Sequence, residues 1–278
     1  MTRRPVVRTL RGAALGALAW LVAGCALGPI DAGPAPLSAS EIAAVVSSAD
    51  RSAADRQTDQ RRKPAEILAF IGVRRGMVAL DVVAGGGYTT ELLSRAIGPT
   101  GAVYAQAQPR DPNRPVPAGA RPPGAAVSER DSKLRSANVP AAPITVALQR
   151  LVNPIPPALA QGKLDLVTLM FNYHDLGSLG EGRAQMNRSI FQALKPGGIY
   201  VVADHSGRPG TGISESTTLH RIEEAFLRSE VEAAGFKLLA SGSFLRNPAD
   251  PRDRETPEPP MPKDEFVLKF VKPGAGGA

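Results

Sequence analysis

Three stretches of the sequence bring together residue types that can do chemistry. In the first, Asp81 precedes Ala84 and three consecutive glycines, Gly85, Gly86 and Gly87, with Tyr88 directly after them. Glycine carries no Cβ and tolerates positive φ, so such a loop lets the backbone approach a ligand closely. A helix opening on the loop presents unpaired N–H groups and a partial positive charge. The acidic Asp81 beside it suits a ligand that also carries an ammonium group. In the second stretch, Asn172-Tyr173-His174-Asp175, an imidazole adjoins a carboxylate. That pairing serves either as a general base or as a held, charged imidazole, and Tyr173 adds an aromatic face that attracts cations. The structural alternative is that His174 and Asp175 cap the following loop and helix. The third stretch, Asp204-His205-Ser206, repeats the pairing, and His220 is the last of the three histidines. His174, His205 and His220 with Asp175 or Asp204 are metal-ligand types. No tight His-x-x-x-His spacing joins them, and no metal is assigned on sequence.

Positioning these groups requires strands, loops and helices in alternation. Val78 to Val83 is an apolar run interrupted only by Asp81, and Leu92, Leu93, Ala96 and Ile97 are spaced for one helix face. This is strand, glycine loop, helix. The loop lacks the third glycine of a Gly-x-Gly-x-x-Gly dinucleotide fingerprint and the Gly-Lys-Ser/Thr of a P-loop; a plain tight turn is the other reading. Further strands are expected over Ala102 to Ala105, Ile144 to Leu148, Leu164 to Phe171, Ile199 to Ala203, Phe236 to Ser241 and Asp264 to Val271. Helices are expected over Ser128 to Asn138, Ser178 to Leu194 and Thr217 to Ala234, with His220 near the start of the last. Pro109 to Gly124 is a proline-rich surface loop. The pattern predicts an α/β fold: a seven-stranded, Rossmann-like sheet, mostly parallel with one antiparallel strand and helices on both faces. In open α/β sheets, ligands sit beyond the carboxyl ends of the strands. That places Gln106, Asn153, Asn172 to Asp175 and Asp204-His205 at candidate positions.

Upstream of this region the sequence reads as targeting, tether and covering helices. Arg3, Arg4, Arg8 and Arg11 lead into an apolar run, GAALGALAWLVAG, too short for a comfortable membrane span. It ends in Leu21-Val22-Ala23-Gly24-Cys25, which resembles a bacterial lipoprotein cleavage box. Cys25, the only cysteine, is the expected lipidation site; an ordinary signal peptide or an uncleaved anchor is the alternative. With no aspartate after Cys25, the expectation is an exported protein, lipid-anchored at the periplasmic face of the outer membrane if the source is Gram-negative. Residues 2–8 also resemble a twin-arginine export signal. Residues 26–38 form a tether. Residues 39–76 are N-terminal helices, over Glu41 to Ala54 and from Lys63-Pro64 to Gly72, expected to cover the ligand end of the sheet. Residues 77–273 form the main domain. Without the four leading arginines the charge falls from +7 to 29 − 26 = +3, mild and scattered, which does not argue for nucleic acid, and no nucleic-acid partner is expected.

Asp81-Val-Val-Ala84-Gly85-Gly86-Gly87 resembles the first motif of class I S-adenosylmethionine-dependent methyltransferases, acid-x-Gly-x-Gly-x-Gly, with Val83 in place of the first glycine. RKPAEILAFIGVRRGM, AGGGYTTELLSRAIGPTGAVYAQ, FNYHDL, LKPGGIYVVADHS, TLHRIEEAFLRSEVEAAGF and DEFVLKF together resemble a bacterial group of predicted class I methyltransferases, several of them exported. The resemblance runs from about Ala54 to Lys272. It implies S-adenosylmethionine as cofactor and methyl transfer to a small-molecule acceptor. It places Asp81, Ala84, Gly85, Gly86, Gly87, Tyr88 and Asn172 at the cofactor. It puts Gln106 at the ribose, where an acid is usual, and Asn153 at the adenine edge. His174 or His205 would remove the acceptor's proton, with Asp175 beside them. The alternative is a non-catalytic ligand-binding lipoprotein with this fold, since S-adenosylmethionine is not expected in an exported compartment.

Overall fold

The structure is a computed structural model, and it describes residues 1–2, 34–180, 182–257 and 260–274. The chain divides into two compact units, Met1–Gly33 and Pro34–Ala278. The targeting segment, Cys25 and most of the tether lie outside the described residues. The last tether residues are docked: Leu37 is buried and its N–H donates to the Val73 carbonyl at 2.9 Å.

Three helices precede the sheet, where two were expected. Helix α1 (Ala39–Ser47) opens on a reciprocal cap, in which Glu41 N–H donates to Ser38 Oγ and Ser38 N–H to Glu41 Oε2. Helix α2 (Ala53–Arg62) is capped by Ser52 and has no apolar stripe; Asp55 is its one buried residue. Periodicity therefore could not announce it. Ion pairs hold it instead, Arg51 to Asp59 at 2.6 Å and Arg130 to Asp55 at 2.7 Å. Helix α3 (Pro64–Ile71) has its proline in the first turn, where no N–H is needed.

The sheet consists of β1 (Val78–Val82), β2 (Ala102–Ala107), β3 (Ile144–Leu148), β4 (Leu164–Met170), β5 (Leu194–His205), β6 (Lys237–Gly242) and β7 (Glu265–Val271), in the order β3-β2-β1-β4-β5-β7-β6. The first five strands pair in parallel, and β7 lies antiparallel between β5 and β6. The chain steps outward from β1 through β2 to β3, then returns to β4 on the other side of β1. That reversal opens a crevice at the carboxyl ends of β1 and β4. Alternate side chains supply two apolar cores. On β4, Leu166 and Met170 join the core with Leu93 and Ile97 of α4 (Tyr88–Ile97), while Val167 and Leu169 join that of Ile190 and Leu227. Helix α5 (Ala125–Ser136) lies between β2 and β3 in the chain.

Two expected helices are shortened. After β4 the chain makes a 3-10 turn, His174–Leu179, and Gly180 at φ 50° separates it from α6 (Gly182–Ala193). The helix expected from Thr217 is α7 (Glu224–Ala233) only. The preceding loop returns to the end of β5, where Ser206 bridges Ile222, and it buries Arg221 against Asp250 at 2.8 Å. His220 therefore sits in a loop and not at a helix start, with φ 48°.

Candidate active site

The glycine loop bends sharply from its first residue. Val83 has φ 55°, a conformation that costs a β-branched residue dearly, followed by Gly85 at 55° and Gly87 at 80°. Gln106 offsets that strain. Its Oε1 accepts the Val83 N–H at 2.8 Å, its carbonyl accepts the Ala84 N–H at 3.1 Å, and its Nε2 donates to the Gln149 carbonyl at 2.7 Å. Gln106 thus ties the loop to the ends of β2 and β3. Expected at the ribose, Gln106 has its amide bonded to the backbone on both sides, and it lines a neighbouring cavity with Val83 and Gly85. From the other side, Arg130 Nε donates to the Gly86 carbonyl at 2.6 Å, while its Nη1 meets Asp55 at 2.7 Å and Glu91 at 2.6 Å.

Asp81 lies beneath the loop. Thr90 Oγ1 donates to its Oδ2 at 2.7 Å, and Thr168 Oγ1 to its Oδ1 at 2.8 Å. Burial outweighs these donors and pushes its pKa up to about 6. Above Asp81 opens a cleft of about 790 Å³, lined by Ala84, Gly85, Gly86, Tyr88 and Asn172, and by Asp55, Thr58 and Arg62 of α2. The Tyr88 hydroxyl donates to Asp59 Oδ1 at 2.6 Å, and burial and that carboxylate push its pKa up. Asn172 Nδ2 donates to the Met170 carbonyl at 2.8 Å. Gly87 caps α4 and does not line this cleft. Asn153, expected at the adenine edge, is exposed in the turn after β3 and does not line this cleft.

Sequence reasoning missed Arg62. Its guanidinium lies 4.4 Å from the centre of the Phe171 ring, and its buried Nε has no hydrogen-bond partner. Burial, then Arg61, lowers its pKa. A guanidinium on the wall of a cleft is suited to meeting an anion. Its only sequence signal was a basic pair in a polar run, which suggests a solvated face.

The second cluster stands beyond β4 and β5. His174 is buried; its Nδ1 is 2.6 Å from Asp204 Oδ1, and its main-chain N–H donates to Asp204 Oδ2 at 2.8 Å. Burial pulls the His174 pKa down, but the Asp204 bond and charge outweigh it, and the net direction is up. Nε2 of His174 is 3.2 Å from Asp175 Oδ1, and His220 Nδ1 is 3.3 Å from the same oxygen. His205 stacks 5.3 Å from His174 and 5.7 Å from Phe171. Its Nδ1 is 3.0 Å from Glu265 Oε1 but lacks hydrogen-bond alignment. The fold therefore unites His174, Asp175 and His205 as the sequence suggested, and adds Asp204 as the anchor of His174 and His220 as a neighbour.

No protein-family model and no curated protein matches the chain in sequence. Solved structures do match it in fold. A SAM-dependent methyltransferase from Aquifex aeolicus superposes with a TM-score of 0.52 at 18% identity, over 84% of this chain and 98% of that one. A candidate methyltransferase from Bacillus halodurans C-125 gives 0.52 at 13% identity, over 76% and 98%. The [4+2]-cyclase SpnF gives 0.50 at 16% identity, over 76% and 82%. The chain has the Rossmann-like fold of the class I methyltransferases, as its strand order requires.

Proposed function

We propose that this protein is an S-adenosylmethionine-dependent methyltransferase acting on a small-molecule acceptor. The observation that carries the reading is the pairing, in one cleft at the sheet's switch point, of buried Asp81 with the guanidinium of Arg62. An amino acid's ammonium and carboxylate call for that pairing. The loop fits as well: a Cβ at Gly86 would meet nothing within 4 Å, so the backbone there is open to close approach. When bound, the cofactor supplies an electrophilic methyl group on a sulfonium. The protein's part is to orient and enclose. Arg62 holds the carboxylate end, Asp81 favours the ammonium, and Tyr88 and Asn172 line the remaining walls. The acceptor enters from the side of His174, Asp175 and His205, because His174 and Asp175 lie just past Asn172 of the cleft wall and His205 packs on His174. Transfer needs chiefly the alignment of acceptor, methyl and sulfur.

The same proposal places the protein outside the cytoplasm, lipid-anchored through Cys25, at the periplasmic face of the outer membrane if the source is Gram-negative. The supporting observation is the run of sequence ending in the cleavage-box pattern. Among the described residues no helix is long and apolar enough to cross a membrane. Calorimetric titration of the purified chain with S-adenosylmethionine tests the central claim, with one site per chain and micromolar affinity expected. A flat titration of folded protein would refute it and leave a lipoprotein that binds some other ligand.

A further inference from the structure

The chain has three histidines, and the fold gathers all of them at one end of the sheet from three separate segments. The His174 ring centre is 5.3 Å from that of His205 and 5.6 Å from that of His220. Behind them, fully buried Asp204 accepts the main-chain N–H groups of His174 and His205, both at 2.8 Å, as well as the His174 ring. The contact with Asp204 uses Nδ1, so Nε2 is the ring nitrogen of His174 left to face outward. Nε2 points at Asp175 Oδ1, itself an acceptor, at 3.2 Å; His220 Nδ1 reaches the same oxygen at 3.3 Å. The three atoms all lie within 4.8 Å of one another.

A metal ion can replace the ring protons that would otherwise bridge these imidazole nitrogens to Asp175 Oδ1, since a ligating imidazole gives up that proton. The separations exceed the roughly 2.7–2.9 Å of a charge-assisted hydrogen bond. They match a different figure: an ion about 2.0–2.1 Å from each of its tetrahedral ligands sets those ligands roughly 3.3 Å apart. Two edges of such a site are already in place. The burial is graded to suit entry, with the His174 side chain 4% exposed and those of Asp175 and His220 46% and 44%. His220 is held in its left-handed conformation by a loop pinned to the β5 end, where Ile222 N–H donates to the His205 carbonyl at 3.1 Å. Strain of that kind persists where the surroundings over-determine a functional position.

We propose that His174 Nε2, His220 Nδ1 and Asp175 Oδ1 bind a divalent transition-metal ion, zinc by ligand type, with Asp204 as the outer carboxylate that orients His174. This revises the sequence reading, which assigned no metal. Two imidazoles and one carboxylate leave a coordination position open, as catalytic sites do. Ion binding stands on these residues alone; the ion's role rests on the methyl-transfer reading. Beside the cleft, the open position takes an oxygen, nitrogen or sulfur atom of the acceptor, fixes its direction and eases loss of its proton.

The test uses the full chain, purified without a polyhistidine tag and stripped with a chelator. It is titrated with Zn²⁺ by calorimetry and with Co²⁺ by visible absorption. One ion per chain is expected. His220→Ala and Asp175→Asn should each weaken binding by at least about tenfold, and Asp204→Asn by about 10–100-fold, the usual effect of losing an outer carboxylate. His220 is half-exposed, so the ion-free melting temperature of His220→Ala should equal the wild type's, and Zn²⁺ should raise the wild-type value alone. Absence of a stoichiometric ion, or equal affinity across the variants, overturns the site. S-adenosylmethionine titrated into ion-free protein separates the two proposals: cofactor binding without ion binding removes only the metal site, and the reverse removes only the cofactor.

Discussion

Gly86 and Asp81 are the residues on which the cofactor reading can be tested most directly. Of the three loop glycines, Gly85 and Gly87 have positive φ, and a Cβ on Gly87 would also meet Arg130 Cδ at 2.9 Å; Gly86 has neither problem. Gly86→Val should therefore fold normally, with an unchanged melting temperature, and lose S-adenosylmethionine binding because its side chain occupies the cleft. Retained binding in the folded variant would remove the claim that the ligand lies against this loop. Asp81 makes affinity depend on pH. Its folded pKa, about 6, is above the usual 3.8, so it is protonated in the empty cleft at pH 5 and ionised at pH 7. A cationic ligand prefers the carboxylate, so binding should tighten as pH rises through about 6, by up to about tenfold per unit below it. The same shift acts on stability with the opposite trend. The folded state holds this proton more tightly than the unfolded chain, so stability falls as pH rises from about 4 to 6, by on the order of 3 kcal/mol. Asp81→Asn should flatten both profiles; titrations at pH 5, 6 and 7 on the two proteins decide it.

Between elements, polar contacts do what apolar packing does elsewhere. Asp204 at the end of β5 joins that strand to the turn after β4 through the His174 N–H and ring, and it also accepts the N–H of His205 in its own strand. Asp204→Ala strands those donors in a buried site, and unfolding in urea should show a loss of about 3–5 kcal/mol. A loss below about 1 kcal/mol would mean that water replaces the carboxylate, and the rigid support claimed for His174 would fall. Helix α2 depends on similar contacts. Its Asp55 meets Arg130, which also holds Glu91 of α4 and the Gly86 carbonyl. Arg130→Met removes the link between the covering helix and the loop. The expected result is faster amide hydrogen exchange across Ala53–Arg62 with the core strands unaffected, since a segment opens locally once the bonds that tie it down are removed. Uniform exchange changes across the sheet would instead mark a global effect.

At the scale of the whole molecule, the N-terminal segment and the sheet make separate claims. If Cys25 carries the lipid, metabolic labelling with a fatty acid should mark the wild type and not Cys25→Ser, and only the wild type should fractionate with membranes. Label retained in the variant would end the anchor proposal.

The alternation of strands and helices and the glycine loop were legible from residues alone, because a buried parallel strand is a nearly unbroken apolar run and an exposed helix face repeats every 3.6 residues. Leu164–Met170 and Val78–Val82 show this for strands. What had no local pattern was not legible. Helix α2 has no apolar period, and its ion pairs join residues as far apart as Asp55 and Arg130. The shortened α7 reflects a bridge between Ser206 and Ile222, which only the folded chain brings together. That Gln106 would brace Val83 in a left-handed conformation had no signal in the residues nearby. The histidines were visible as types, at positions 174, 205 and 220, without the spacing of a site. The sequence by itself determined the layered sheet and where its ligand end must lie. The tertiary structure alone decided that Arg62 faces the cleft and that two histidines share one aspartate oxygen, because side-chain direction and partnership are set by backbone turns and distant neighbours, not by the order of residues nearby.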